Sequence, residues 1–367
     1  MVSISPVRGG SCAPSSSADS SERFSKPHHM TSRRELIRHL TLAGLSLPVM
    51  PSLLQSAAAP FTTTRRKVSQ LRITILSTML ADAGIGEWGF AALVEVDGRR
   101  MLFDTGAHDD VVARNARELN VALDTVPDVV LSHNHGDHTI GLLPLRKELV
   151  SKRADALGTA HVGEGIFAPR LRSGNSNDLN PMNRFRPRYE ETGGHFTVHA
   201  KPTELYPGVW LTGPVPRRHN ERNWGSSNPQ ARPALVKVGT DMLEDNVPED
   251  MSMIFDTEQG LVVLTGCGHA GVVNIIDHAR ESVRPANVHA LIGGIHLFNA
   301  SEQTLAWTEQ RLKAAGVRQL IGAHCTGVEV VYRFRRTLGL DRSTCVVGAV
   351  GQVFDLAKGI EAGAIAR

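Results

Sequence analysis

The chain has 367 residues, enough for one large domain with a well-buried core or for two small ones. Its apolar share of 41% and charged share of 21% are those of a globular protein rather than of a disordered or fibrous one. A net charge of +3 is too small to indicate a nucleic-acid partner.

The first 29 residues are rich in Ser, Pro and Gly, lack apolar periodicity and are predicted to be disordered. Thr31-Ser32-Arg33-Arg34-Glu35-Leu36-Ile37-Arg38 resembles a twin-arginine export motif. An apolar stretch from Leu40 to Leu54 follows, broken by Pro48 and Pro51. It is shorter than the roughly 20 apolar residues a membrane helix needs. Ser56-Ala57-Ala58-Ala59 then offers small residues to a signal peptidase. Residues 1–59 therefore read as a disordered leader plus a twin-arginine-type signal, with a start at Met30 leaving a leader of ordinary length. The expectation is a periplasmic or secreted bacterial protein that meets export machinery during targeting and keeps no membrane anchor.

Residues 68–367 read as a single domain of alternating strands and helices. Leu71–Leu76 is a predicted strand, and Phe90–Val96 and Arg99–Phe103 flank the hairpin signal Asp97-Gly98. Val111–Leu119 has helical spacing, Val129–Leu131 a short buried strand, and Thr139–Val150 a helix. From Gly163 to Pro233 the pattern weakens into Gly, Pro, Asn and Arg, which predicts an insertion lying over the site. The second half repeats the logic. Met253–Phe255 and Leu261–Thr265 form a hairpin, Val272–Arg280 a helix, Val288–Ile292 a strand, Glu302–Ala315 a helix, Gln319–Gly322 a strand and Val328–Arg336 a helix. Cys345–Val353 is predicted as a final strand pair. Two similar halves predict a sandwich of sheets with helices outside.

Metal-type residues recur where the strands stop, in His133-Asn134-His135-Gly136-Asp137-His138, Gly266-Cys267-Gly268-His269, Gly293-Gly294-Ile295-His296 and His324-Cys325-Thr326-Gly327. His133 and His135 are two apart, so an extended backbone points both the same way, toward one metal. Gly136 permits a sharp turn, after which adjacent Asp137 and His138 diverge and suit a second metal. Imidazole with carboxylate suits zinc, while iron and manganese accept it too. The cysteines, Cys12, Cys267, Cys325 and Cys345, make no CxxC pair, so neither a zinc knuckle nor a disulfide framework is indicated.

The cluster His133 to His138, with Phe103-Asp104-Thr105-Gly106 before it, resembles the HxHxDH signature and early FDTG element of the metallo-β-lactamase superfamily. The resemblance runs from about Leu71 to the C-terminus and implies an α/β αββα sandwich. Thr265–Gly271, Gly293–Leu297 and His324–Gly327 resemble more narrowly the dihydropteroate-synthase-like branch, named for a dihydropterin ribofuranosyl-aminobenzene phosphate synthase. It implies that His133, His135 and His269 hold the first metal, and Asp137, His138 and His324 the second. Many members place a metal-bridging aspartate where this chain has Cys267, which is then either a metal-ligating thiolate or a small buried residue. His296 is either an acid or hydrogen-bond donor to substrate or a structural group, and Asp104 is expected to orient a ligand histidine or the metal-bearing loop.

Two adjacent cations, zinc by expectation, imply a hydrolase that uses a metal-bound hydroxide on an ester, amide or phosphoester of a small molecule, with Asp137 helping to orient the nucleophile. Arg170, Arg172, Arg184, Arg186, Arg188, Arg217, Arg218 and Arg222 could grip an anionic substrate or belong to a solvated loop. Redox members of the superfamily carry HxExD, and His135 in place of the carboxylate argues against a di-iron redox enzyme. A ligand set without gaps argues against a non-catalytic metal-stabilised binding protein.

Overall fold

In the computed structural model the described residues are 66–172, 177–224 and 233–366. The leader and export motif expected over residues 1–59 lie outside them. Thr62–Arg367 forms one compact unit.

Two sheets carry this unit. The first has eight strands in the order Gly359–Glu361 (β15), Val353–Asp355 (β14), Leu71–Ser77 (β1), Ala91–Val96 (β2), Arg99–Phe103 (β3), Asp128–Leu131 (β4), Thr159–Gly163 (β5) and His195–His199 (β6). The second has seven, in the order Cys345–Val347 (β13), Gln319–Gly322 (β12), Val288–Gly293 (β11), Gly260–Thr265 (β10), Met253–Thr257 (β9), Val209–Leu211 (β8) and Thr203–Tyr206 (β7). Strands β3 to β6 run parallel to one another, as do β10 to β13, and the remaining neighbours are antiparallel.

Strand parity gives each sheet two apolar faces. Val94, Met101, Phe103 and Val130 of the first sheet meet Phe255, Val262, Leu264 and Ile292 of the second in the central layer. Their chain neighbours Leu93, Leu102, Val129 and Leu131 face outward onto helices α1 (Val111–Glu118), α2 (Leu142–Val150) and α3 (Pro181–Glu190). Leu261, Val263, Leu291 and Leu320 likewise face α4 (Val272–Ser282), α5 (Glu302–Ala314) and α6 (Val328–Thr337). The result is the αββα sandwich, driven by burial of both faces of each sheet. The Asp97-Gly98 hairpin has positive φ at both residues, 45° and 81°, as the turn that follows strand twist requires.

Three expectations need correction. The segment 163–233 is not one insertion, because β6 completes the first sheet, β7 and β8 edge the second, and α3 joins the outer layer. Strands β6 and β7 are half-buried and gain their place from pairing rather than from an apolar pattern, whereas β8 is fully buried. A separate three-stranded sheet of Arg170–Arg172, Ala234–Val238 and Asp241–Glu244 draws on residues on both sides of Pro233. The final strands do not pair, since β13 joins the second sheet and β14 the first, and Gly351 (φ 83°) lies on the crossing between them. The helix expected over 139–150 is one turn, Gly136–Thr139, followed by α2.

A polar seam joins the sheets away from the histidine motifs. Tyr206 donates to the Asp128 carboxylate at 2.6 Å, and His161 lies 3.0 Å from His199. Burial and the neighbouring His161 push His199 down to about 4. The fold therefore accepts its neutral form. That contribution to stability is complete above the ordinary histidine value of about 6.5 and is lost as pH falls toward about 4. We expect the thermal midpoint to fall on acidification through this window, and to fall less in His199→Gln, by scanning calorimetry at fixed ionic strength. An equal fall in both proteins would assign the loss to other groups.

Candidate metal centre

Ligand-type residues follow the carboxyl ends of parallel strands from both sheets, where the strand fixes the backbone and the loop frees the side chain. Past β4 come Ser132, His133 and His135, whose imidazoles are 4.5 Å apart between centroids. The turn at Gly136 then separates half-exposed Asp137 from fully buried His138. Cys267 and His269 follow β10, His296 follows β11 and His324 follows β12. The structure brings these loops to one place. His133 lies 4.3 Å from His138 and 4.8 Å from His269, and His138 lies 4.9 Å from His324.

Asp104, His296 and His324 adopt left-handed backbone, with φ of 56°, 47° and 47°. Such conformations cost about 1–3 kcal/mol each for residues other than glycine and persist only where surroundings over-determine them. The constraints are visible. The His324 N–H donates to Thr78 Oγ1 at 3.0 Å, and Asp104 accepts from the backbone N–H and hydroxyl of Ser132, each at 2.7 Å. Gly266 admits this network, because a Cβ there would lie 2.1 Å from Ser132 Oγ and 2.6 Å from Asp104 Oδ2.

These hydrogen bonds fix the tautomers. The Ser132 hydroxyl gives its proton to Asp104 and so accepts from His133 Nδ1 at 2.9 Å. His138 Nδ1 donates to Asp104 at 2.7 Å, and His269 Nδ1 donates to the Asn223 carbonyl. All three rings therefore turn Nε2 inward, in the arrangement by which a metal ligand is oriented through its other nitrogen. His133 Nε2 and His269 Nε2 are buried with no hydrogen-bond partner. Buried polar atoms are rarely left so, and a cation would satisfy them. Asp104 thus holds both the His138 ring and the loop that carries it.

The donors group into two sets, His133 with Cys267 and His269, and His138 with Cys267 and His324, the atoms of each lying within 4.8 Å of one another. Cys267 Sγ is 3.2 Å from His138 Nε2 and belongs to both. Of the two sequence readings of Cys267, burial holds, but a merely space-filling role does not account for its central position. Asp137 stands 3.2 Å from His324 Nε2.

Burial and the surrounding imidazoles push His133 and His269 well below the ordinary range, and burial brings His135 down to about 4. These rings are neutral, as ligands must be. Burial works against charge on His138 too, but the Asp104 and Asp137 carboxylates outweigh it and hold the ring up at about 9. Asp137 is ionised: burial opposes this, yet His138 and His324 pull it below the usual carboxylate range.

Behind the histidines lie buried carboxylates without a signal in the sequence. Glu249 accepts from the Asn134 N–H at 3.2 Å and pairs with Arg170, Asp250 accepts from Ala270 N–H at 2.8 Å, and Glu221 accepts from Asn274 N–H at 2.9 Å where α4 begins. Burial pushes Glu221 and Glu249 up to about 7 and Asp250 up to about 6. The arginines are not gathered as an anion grip. Arg170 is tied to Asp245 and Glu249, Arg186 to Glu190, Arg218 to Glu281 and Arg222 to Glu244. Arg217 donates to the backbone carbonyls of His269 and Val247. Trp88 and Phe298, 49% and 44% exposed, form an edge-to-face pair 5.8 Å apart beside His324 and His296. Neither lies in a motif that spacing could reveal.

The family model described as the metallo-β-lactamase superfamily matches residues 89–204, the stretch that contains Asp104 and the His133–His138 cluster. The chain carries a metallo-β-lactamase domain. The metallo-β-lactamase fold is also that of a solved structure described as a metal-dependent hydrolase of the β-lactamase superfamily, 24% identical, with a TM-score of 0.58 over 77% of this chain and 98% of that one. A protein of Methanocaldococcus jannaschii named 7,8-dihydropterin-6-methyl-4-(β-D-ribofuranosyl)-aminobenzene-5'-phosphate synthase is 28% identical over 275 residues, 73% of this chain and 92% of its own. A second, uncharacterized protein of that organism is 23% identical over 269 residues, 73% of this chain and 93% of its own.

Asp104→Asn keeps size and tolerance of left-handed backbone but cannot accept from both Ser132 and His138 as a carboxylate does. We expect metal affinity to fall about 10–100-fold with the fold intact, by competition with a chromophoric chelator and by circular dichroism. Unchanged affinity would remove Asp104 from the metal centre's support.

Proposed function

We propose that the protein is a binuclear, zinc-dependent hydrolase of a small-molecule ester, amide or phosphoester. The observation that carries this is the pair of donor sets sharing Cys267, with the neutral His133 and His269 imidazoles turned inward. His133, His135, Cys267 and His269 would hold one cation, and Asp137, His138, Cys267 and His324 the other. Bound there, zinc supplies Lewis acidity and an activated water at neutral pH.

The chain's own residues supply orientation. Asp137 is ionised and half-exposed, so it can accept a hydrogen bond from an incoming water and fix its direction. His296, half-buried with its ring 4.6 Å from His269, is placed to donate a proton to the departing oxygen. Trp88 and Phe298 give an apolar wall against which a planar substrate would stack. An anionic substrate is favoured by the cations, since the guanidinium groups of Arg170, Arg186, Arg217, Arg218 and Arg222 are engaged within the chain.

A second reading rests on the archaeal relative, which is named a synthase. The same centre would then transfer a group to an acceptor other than water. Plasma mass spectrometry of the purified protein is expected to give about two zinc ions per chain, with less metal and no turnover of an ester and phosphoester panel in His133→Ala and His324→Ala. Iron would favour redox chemistry, and a folded, metal-free protein would favour a binding role. Turnover only when an acceptor is added would select the synthase reading.

We further propose export by the twin-arginine route, supported by residues 31–59. Cell fractionation should find the mature chain in the periplasm, and Arg33→Lys with Arg34→Lys should retain it in the cytoplasm. Periplasmic product from that double variant would exclude the route.

A further inference from the structure

Cys325 belongs to neither donor set above, yet it reaches the same place. Its Sγ lies 3.3 Å from Cys267 Sγ and is fully buried. Cys267, His296 and Cys325 offer two sulfurs and one imidazole nitrogen, all within 4.8 Å of one another. We propose that these three residues form a third, overlapping site for a single thiophilic cation.

Several features hold this geometry. His296 keeps left-handed backbone (φ 47°), and its Nδ1 is buried without a hydrogen-bond partner. The glycine pair at the end of β11 makes room for the sulfur: a Cβ on Gly294 would lie 2.9 Å from Cys325 Sγ and 2.2 Å from the Gly266 carbonyl. Cys325 sits in the one-turn helix His324–Thr326, which Thr326 Oγ1 ties to the Gly293 carbonyl at 3.1 Å. Cys345 shows the contrast. It is also buried, but its Sγ faces the Val331 carbonyl at 3.5 Å and joins no cluster.

The chemistry follows from the donors. Thiols are weak hydrogen-bond donors, so burying two of them against each other gains little. A cation replaces both thiol protons, which leave to solvent, and binds the sulfurs as thiolates. Two sulfurs with one nitrogen select copper(I), zinc or cadmium over manganese or magnesium. Because Cys267 also serves the other two sets, a cation here draws on a shared ligand and competes with the binuclear centre for it.

The test uses the full chain carrying Cys12→Ser and Cys345→Ala, titrated with cadmium chloride and followed by the ultraviolet sulfur-to-cadmium charge-transfer band. The band should have the intensity of two thiolates and fall about twofold in both Cys325→Ser and Cys267→Ser, in proportion to the sulfurs removed. His296→Ala should keep the full band but need about tenfold more cadmium, as expected for loss of one ligand or its support. An unchanged band in Cys325→Ser would overturn the proposal. Should that variant not fold, cadmium-edge X-ray absorption of the wild-type chain decides. Two sulfur neighbours per ion support the site, and one or none refutes it. Because the readout is sulfur ligation, it stands whether or not the hydrolase reading survives.

Discussion

Imidazole lone pairs crowded into a dry space repel one another and lose their water, and the folded chain has to bear that cost. Here His133, His138 and His269 turn Nε2 inward around Cys267. A loop alone could not hold such an arrangement, because each side chain would rotate toward solvent. The loops instead leave strands whose central layer is closed by residues such as Phe103, Val130, Leu264 and Ile292, each almost completely buried. Burial of apolar surface on the sandwich therefore stabilises the backbone from which the histidines project.

Rigidity is then refined locally. Asp104 serves as a hub, joining the loop backbone at Ser132 to the His138 ring and, through the serine hydroxyl, to His133. Its left-handed conformation is tolerable for aspartate, and Gly266 leaves the space that the hub needs. On the far side, Glu221, Glu249 and Asp250 bond backbone N–H groups in or beside the segments that carry the histidines. These carboxylates trade exposure to water for fixed loop geometry, which is why burial raises their pKa values.

Sulfur sets this centre apart. Cys267 lies where both donor sets meet, and Cys325 stands beside it. A thiolate is softer and less strongly hydrated than a carboxylate, which would narrow the metals such a site favours. The aromatic pair Trp88 and Phe298 borders the same region and is open to solvent there.

Much of this was legible in the sequence. The apolar runs of β2 and β10, the Asp97-Gly98 turn and the histidine spacing each report a local rule, so they survive without knowledge of partners. The role of Asp104 could be anticipated because it closes a strand. Other features had no local signature. Strands β6 and β7 are short and half-buried and exist only through the neighbours they pair with. The crossing from β13 to β14 between sheets depends on where the other strands already lie. The position of Cys267 between the donor sets, the approach of Cys325, and the pairing of the arginines with distant carboxylates join residues far apart in the chain. Sequence by itself determined which residues could bind metal and which strands would present them. Only tertiary structure decided which of them meet, because the distance between strand ends on two facing sheets is fixed by packing and not by spacing along the chain.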